Sequence, residues 1–451
     1  MISIIRSFKA KLTQGSERSV KVKLNVAWMM LIKGANILVS LLLLPLTLKY
    51  VDSETYGVWL ALSSMVGWIS FFDIGINNGL RNRLTEAFAN ADMVTAKQYI
   101  STTYAILSII FIPLMVILLL VLPLLDWNSL LNINTTSNVT LVISACIITA
   151  YFCLNFILST INIVLTADLK PAEASFRTLL QQIVSLLFIY QLTLFTEGSL
   201  ILLCIGLCVS QLLVTALYNF TLFTSKYKEI SPSFKSVRFD LAPSLFKTGL
   251  QFFVIQIAFI VQFQISNFLI IRYYGASEVT SYNIAQKYFN ISFMVWTIMI
   301  TPLWAASADA IAKNDIEWIK NVLLKYSKIF FLFCIGMIIQ LLLCNWFYSI
   351  WVGDDIEVSW FTSFWIMIYN IAMMFGNTLV QILNGLGIIK VQSIASIFSP
   401  IVFVASFFIM YVLGMGVSSV IIAGVLANFN GLLIAPVQFT KYISKHKNEV
   451  I

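Results

Sequence analysis

Charge is what this chain has least of. Asp, Glu, Lys and Arg make up 11% of its 451 residues, against roughly a quarter in an ordinary soluble domain. Hydrophobic residues account for 59% and the mean hydropathy is +0.90. Such a chain could not keep a surface wet, which excludes a water-soluble globule and suits a bilayer. Histidine is reduced to His446, near the C-terminal end. The sequence contains no Ser/His/Asp set, no metal-spaced cluster and no phosphate-cradling glycine loop, so neither enzyme chemistry nor a cofactor or metal is expected. The six cysteines, Cys146, Cys153, Cys204, Cys208, Cys334 and Cys344, all sit in apolar stretches. They read as small buried hydrophobes, with no disulfide framework. The strict alternation of a β-barrel is also missing.

Long apolar runs are what the chain has in abundance. Crossing about 30 Å of hydrocarbon takes roughly 20 residues of helix. Twelve such runs lie near 26–48, 53–75, 100–124, 139–166, 175–195, 199–223, 248–271, 281–304, 326–350, 359–383, 390–413 and 416–439. In lipid each backbone group must be satisfied within its own segment, so these runs predict an all-α integral membrane protein. Kinks are expected near Pro113, Pro123, Pro302 and Pro400.

The basic residues give the orientation. With the N-terminus inside, 24 of the 28 Lys and Arg residues fall in the inner segments. Only Lys49 and Arg272 sit at outer ends, while Lys33 and Lys287 fall inside spans. This is the positive-inside distribution, and it predicts that both termini are cytoplasmic. The net charge of +8 then needs no nucleic-acid partner. The tail 1–25 is basic, and its Ile4, Ile5, Phe8 and Leu12 would let it lie on the membrane surface. A solvated tail fits equally well. The first apolar run is too long for a signal peptide, so cleavage is not expected.

Three short motifs recur at one displacement. Leu48-Lys49-Tyr50 returns as Ile271-Arg272-Tyr273, 223 residues on. Glu86-Ala87-x-Ala89-x-x-Asp92 returns as Asp309-Ala310-x-Ala312-x-x-Asp315, and Lys97 as Lys320, at the same displacement. Twice that distance is nearly the whole chain, which predicts a duplication into two six-helix halves. An even number of spans gives both halves the same orientation, the parallel repeat of many alternating-access carriers. The expected organisation is a tail over 1–25, a bundle over 26–223, a linker over 224–247, a bundle over 248–439 and a tail over 440–451.

Polar residues inside the spans line up on faces at about 100° per residue. The first run carries Asn25, Lys33, Asn36, Ser40 and Thr47; the eighth carries Asn283, Gln286, Lys287, Asn290, Thr297 and Thr301. The second carries Tyr56, Trp59, Ser63, Ser70, Asp73 and Asn77. Neutral stripes also mark the fourth and tenth. The bland alternative for each Asn is an interhelical hydrogen bond that needs no cavity. Recurrence on five helices, two of them with a lysine, favours a hydrated cavity whose amides and hydroxyls suit a sugar. Lys33 and Lys287 would attract an anion there, with snorkelling to the headgroups as the alternative. Lys49 and Arg272 are interfacial anchors or the outer mouth of that cavity. Asp73, with Arg81 and Arg83 close by, is the candidate for ion coupling or gating, or else a local ion pair.

The stretch from Tyr56-Gly57-Val58-Trp59 through Phe71-Phe72-Asp73-Ile74-Gly75, Asn78-Gly79-Leu80-Arg81-Asn82-Arg83-Leu84 and Glu86-Ala87 resembles the oligosaccharide flippases of bacterial polysaccharide synthesis. These belong to the multidrug/oligosaccharidyl-lipid/polysaccharide exporter superfamily. Thr301-Pro302-Leu303-Trp304 and Asn384-Gly385-Leu386-Gly387 before Lys390 are similar to the same group. The resemblance implies a V-shaped pair of six-helix bundles in the bacterial inner membrane. It implies a flippase that moves an undecaprenyl-diphosphate-linked oligosaccharide, such as an O-antigen repeat unit, from the cytoplasmic to the periplasmic leaflet. It also implies a cationic cavity for the diphosphate, which Lys33, Lys49, Arg272 and Lys287 could supply, with Asn36, Asn283 and Asn290 beside the sugar. A proton or sodium ion would drive the cycle, among membrane lipids and alongside a polysaccharide polymerase or chain-length protein.

Two other classes compete. A cation-coupled multidrug exporter shares the superfamily, but its cationic cargo calls for intramembrane carboxylates where this chain has lysines. A membrane-embedded polysaccharide-synthesis enzyme or scaffold is opposed by the duplication, the short outer loops and the lack of a catalytic set.

Overall fold

A computed structural model describes residues 17–67, 76–133, 135–168, 170–245, 265–301, 303–312, 315–388 and 390–447. The described residues are overwhelmingly helical and contain no β-strand. Eight helices among them are long and apolar enough to cross a membrane, or nine if the bent pair Ser418–Ala427 and Asn430–Ser444 forms one span. All nine fall on runs expected from the sequence. The other three expected runs differ for identifiable reasons. The run 53–75 is described only as far as Gly67, and 248–271 only from Ile265. The run 281–304 falls largely on the 25-residue helix Ala276–Ile300, whose Asn283, Gln286, Lys287 and Asn290 make it more polar than those eight helices.

The longer helices in the first part of the chain are α1 (Glu17–Tyr50), α2 (Ser53–Val66), α3 (Ile76–Ala89) and α4 (Met93–Val121). Then come α5 (Asn138–Leu158), α6 (Thr160–Ala167), α7 (Pro171–Phe195) and α8 (Leu200–Thr224). A helix over 265–274 is α9, followed by α10 (Ala276–Ile300), α11 (Leu303–Ala312), α12 (Ile316–Leu342) and α13 (Trp360–Gly385). The last are α14 (Lys390–Val412), α15 (Ser418–Ala427) and α16 (Ala435–Lys447).

These helices gather into two compact units. The first comprises Met1–Asp52, Ile69–Trp127 and Thr136–Phe253; the second comprises Ser53–Trp68, Asn128–Thr135 and Val254–Ile451. In the first, α1 lies along α7, α7 along α8, α8 along α5 and α5 along α4. At one end of this unit, Lys226 pairs with Glu173 at 2.6 Å and the Tyr227 hydroxyl donates to Asp168 at 2.7 Å. In the second, α2 lies along α10, α10 along α13, and α13 also carries α11, α12 and α15.

Close backbone approach sets two of these packings. A Cβ on Gly57 would lie 1.8 Å from the Ala276 carbonyl oxygen, so only glycine lets α2 meet the start of α10. In the first unit a Cβ on Gly79 would lie 2.1 Å from the Leu245 carbonyl oxygen. Small residues at helix contacts are how membrane bundles pack tightly, since lipid tails offer no hydrophobic drive to associate.

The motif that recurs in sequence also recurs in geometry. Asp92 caps α4, its Oδ1 accepting the Thr95 N–H at 2.9 Å. Asp315, 223 residues on, caps α12 and accepts the Trp318 N–H at 2.9 Å. The Asp92 N–H reaches back to the Ala87 carbonyl at 2.9 Å, and the Asp315 N–H to the Ala310 carbonyl at 2.8 Å. The same short motif makes the same turn twice, because an Asp at the cap satisfies a donor the helix leaves free.

Candidate functional site

In the second unit, α2, α9 and α10 bring polar side chains together. The Asn283 amide donates to Asn267 Oδ1 at 2.9 Å, and the Asn267 amide donates to Ser64 Oγ at 2.7 Å. Ser64 passes its own proton to the Leu60 carbonyl at 2.8 Å. This fixes a one-way chain of donors across three helices, and Ser64 and Asn267 are both buried. One turn further along α10, Lys287 is half-buried and its Nζ donates to the Tyr56 hydroxyl at 3.4 Å. No ion pair to Lys287 exists among the described residues. Beside it, Gln286 Oε1 is buried without a partner among the described residues. Gln286, Ser266, Tyr282 and Tyr369 line a cavity of about 20 Å³, enough for a single water or small ion.

The remaining expected residues of this unit are placed differently. Asn290 is exposed on α10. Arg272 is exposed at the end of α9, and its Nη1 donates to the Ser129 carbonyl, tying down the segment 128–135.

In the first unit, Lys33 is half-buried on α1, and Asn36 Oδ1 is buried without a partner among the described residues. Lys49 is exposed in the last turn of the same helix. Thr47, on the expected polar stripe, spends its hydroxyl on the Leu43 carbonyl of its own helix. Arg81 is exposed on α3, and Arg83 pairs with Glu86 at 3.2 Å. Asp73 lies outside the described residues.

Sequence reasoning missed two features. Ser63 was on the expected stripe of the second run, but it bonds to its own helix through the Leu60 carbonyl while its neighbour Ser64 reaches Asn267. Arg177, counted among the inner-segment cations, is only 6% exposed. It lies between α7 and α8, and its Nη1 donates to Thr215 Oγ1 at 3.0 Å. Gln181 donates to the same hydroxyl at 2.9 Å, and Thr215 donates to Asn155 Oδ1 at 3.1 Å. The signal for it was present, since Asn155, Gln181, Gln211 and Thr215 all interrupt apolar runs.

Within each unit, then, cations stand half-buried or exposed on long helices, Lys33 and Lys49 on α1 and Lys287 on α10. A family described as polysaccharide biosynthesis protein matches residues 22–304, more than half of the chain. The chain belongs to this family. The match contains the stretch 56–87 and the Lys287–Tyr56 contact. A protein of Yersinia pseudotuberculosis named for O-antigen export is 23% identical over 317 residues, covering 65% of this chain and 66% of that one. The chain therefore spans just under two thirds of that relative's length. A protein of Salmonella typhi named as an O-antigen transporter is 21% identical over 365 residues, covering 78% of this chain and 81% of that one.

Solved structures agree on the architecture. An inward-facing multidrug resistance MATE family transporter of the MOP superfamily matches with a TM-score of 0.75 at 13% identity, over 90% of this chain and 94% of that one. An outward-facing one matches with a TM-score of 0.63 at 14% identity, over 97% and 98%. At such identities the likeness establishes the fold alone. This member of the polysaccharide biosynthesis family is an all-α integral membrane protein with a MATE-like fold.

Proposed function

We propose that the protein is a membrane transporter, a flippase that carries an undecaprenyl-diphosphate-linked oligosaccharide from the cytoplasmic to the periplasmic leaflet of the bacterial inner membrane. The observation that carries this reading is Lys287, a half-buried cation on the long helix α10 with a tyrosine hydroxyl as its polar contact. It belongs to a family of polysaccharide biosynthesis proteins. A lysine at the centre of a span costs about 2.5–3.5 kcal/mol on insertion scales, so it persists where an anion or a polar path offsets that cost. A lipid-linked diphosphate is such an anion. Its lipid tail stays in the bilayer while the charged head and its sugars need help to cross.

In this reading Lys33, Lys49, Arg272 and Lys287 meet the phosphates in turn. Asn36, Asn283 and Asn290 offer amides to the sugar hydroxyls. The two repeats alternate access to the two leaflets, with both termini in the cytoplasm. A proton or sodium ion drives the cycle through Asp73, with Arg81 and Arg83 setting its charge. No bond is made or broken in the cargo, and a polymerase or chain-length protein takes it on the far side.

The test is deletion in the host, followed by thin-layer and mass analysis of lipid-linked sugars. The expected result is accumulation of a finished lipid-linked oligosaccharide on the cytoplasmic leaflet with loss of surface glycan. Lys287→Ala is expected to restore export about 10- to 100-fold less well than the natural protein, the loss of one charge-assisted contact. Lys287→Arg, which keeps the charge, is expected to restore most of it. Unchanged lipid-linked sugars together with raised sensitivity to cationic drugs would replace this reading with the multidrug exporter.

A further inference from the structure

We propose that the second unit holds an anionic phospholipid in a lateral groove formed by α10, α12, α13 and α16. A cavity of about 380 Å³ lies there, walled by Trp296, Leu323, Tyr326, Phe330, Phe375 and Phe439. An apolar cavity of about 150 Å³ already takes up benzene, so this one has room for a length of hydrocarbon chain.

Most of its polar atoms are already committed. Trp296 is fully buried at the floor, and its Nε1 donates to the Met374 carbonyl at 3.0 Å and to Thr378 at 3.2 Å. The Tyr326 hydroxyl donates to the Met299 carbonyl at 2.9 Å. Around the indole the rings of Tyr326, Phe330 and Phe333 stand edge-on or tilted at 5.2–6.3 Å. The groove therefore offers mostly ring surface to its occupant, with the Ser327 hydroxyl among its lining. Its lip is apolar too, with Phe331 67% exposed and Phe375 38% exposed.

Charge distinguishes the two ends. Leu323, Tyr326, Ser327, Phe330 and Phe331 form one stripe on α12 at helical spacing. Lys320, half-buried, continues that stripe one turn toward the start of the helix. Lys325 and Lys328 stand on other faces of the same turns, and Lys441 follows Thr440 on α16; all three are exposed. Among the described residues, the acidic side chains at the start of α12 are Asp315, whose Oδ1 is held in the helix cap, and the exposed Glu317. Toward Phe331 and Phe375 the lining carries no charge.

Depth agrees with this polarity. The 27 residues of α12 span about 40 Å, longer than about 30 Å of hydrocarbon. Its first turns therefore reach the headgroups, which places Lys320 at the phosphate level. The stripe from Leu323 to Phe331 then runs about 12 Å into one leaflet. Given the positive-inside distribution, that leaflet is the cytoplasmic one. A trough of rings with a cationic end fits a lipid with one hydrocarbon chain in the groove and an anionic headgroup on Lys320.

Native mass spectrometry of the full-length protein in nanodiscs of equal parts phosphatidylglycerol and phosphatidylethanolamine tests this. The expected result is retained phosphatidylglycerol in preference to phosphatidylethanolamine. Lys320→Gln is expected to lower that preference about fivefold, the effect of one basic residue at an anionic lipid surface. Ser327→Trp fills the groove and is expected to reduce retention of both lipids. If that variant fails to accumulate, Lys320→Gln alone decides. Equal retention of the two lipids by the natural protein, or an unchanged preference in Lys320→Gln, overturns the proposal. So does a second copy of the chain, or a polyprenyl lipid from host membranes, found in place of the phospholipid.

Discussion

Arg177 shows how much a single residue can hide from a sequence. A charge inside a bundle must find its partners in the protein, because lipid offers none. Its Nη1 and the Gln181 amide both rest on the Thr215 hydroxyl, at 3.0 Å and 2.9 Å. The weak point of this cluster is therefore the hydroxyl. Thr215→Val keeps the shape but strips an acceptor from two buried donors, each worth about 1–3 kcal/mol when left unmade. Arg177→Met removes the charge along with its need for partners, a change that is often neutral or stabilising at buried sites. Thermal unfolding in detergent is expected to show Thr215→Val destabilised by at least about 1 kcal/mol and more than Arg177→Met. The reverse order would mean that the guanidinium does more than fill the cluster. Position along the chain put Arg177 with the inner-loop cations, because hydropathy registers where an apolar run begins and not which way its first turns face. The same limit separates Ser63 from Ser64. Their spacing marked a polar face on α2, but which hydroxyl reaches Asn267 depends on a neighbouring helix that periodicity cannot identify.

Helices need both a way to stop and a way to approach each other, and two glycines and two aspartates supply much of this. At Gly57 the backbone of α10 comes so near that a Cβ would lie 1.8 Å from the Ala276 oxygen. Gly57→Ala is therefore expected to push α2 off α10, at about 1–3 kcal/mol or more in unfolding experiments. Gly336 on α12 has open space around it. Gly336→Ala is expected to be neutral or to stabilise by up to about 1 kcal/mol, by helix propensity. Equal effects at the two positions would mean that the crossing at Gly57 is not so tight. The cap at Asp92 carries a pH signature as well. Hydrogen bonds from the Thr95 side chain and backbone favour its charged form and lower its pKa below the ordinary carboxylate value. A lowered folded-state pKa contributes stability that is present above the unfolded pKa and is lost as pH falls through the folded one. Melting temperatures of the natural protein are thus expected to fall more on acidification below about pH 4 than those of Asp92→Asn, which caps without titrating. In the sequence these aspartates were legible as parts of a repeated motif, because that motif is short and local.

At the scale of the whole molecule, the repeated motif is legible for the same reason. Asp92 and Asp315 make the same turn from the same short motif. What the sequence conceals is which helices fold together. A break at the linker 224–247 divides the chain evenly, yet Ser53–Trp68 and Asn128–Thr135 belong to the compact unit that contains Val254–Ile451. The reason is physical. Hydropathy marks the run that contains α2 as an expected span, but its neighbours are chosen by contacts far away in sequence. Those contacts are the Gly57 approach to Ala276, the Thr280 bond to the Ser53 carbonyl and the Asn267 bond to Ser64. Arg272 on the Ser129 carbonyl and Thr135 on Glu54 hold the second inserted segment. A fragment of residues 224–451 made alone lacks all of these partners. It is expected to be cleared from membranes or to be readily cut by protease. Made together with residues 1–223, it is expected to regain protease resistance without any covalent link. Adding Ser64→Ala to the shorter fragment is expected to weaken that rescue, because Asn267 then loses its buried acceptor. If residues 224–451 alone resist protease as well as the full chain does, α2 is dispensable to the unit and the bonds through Ser64 and Ser53 are incidental. If the rescue occurs, the chain folds as two bodies that the sequence divides at a different place from the fold.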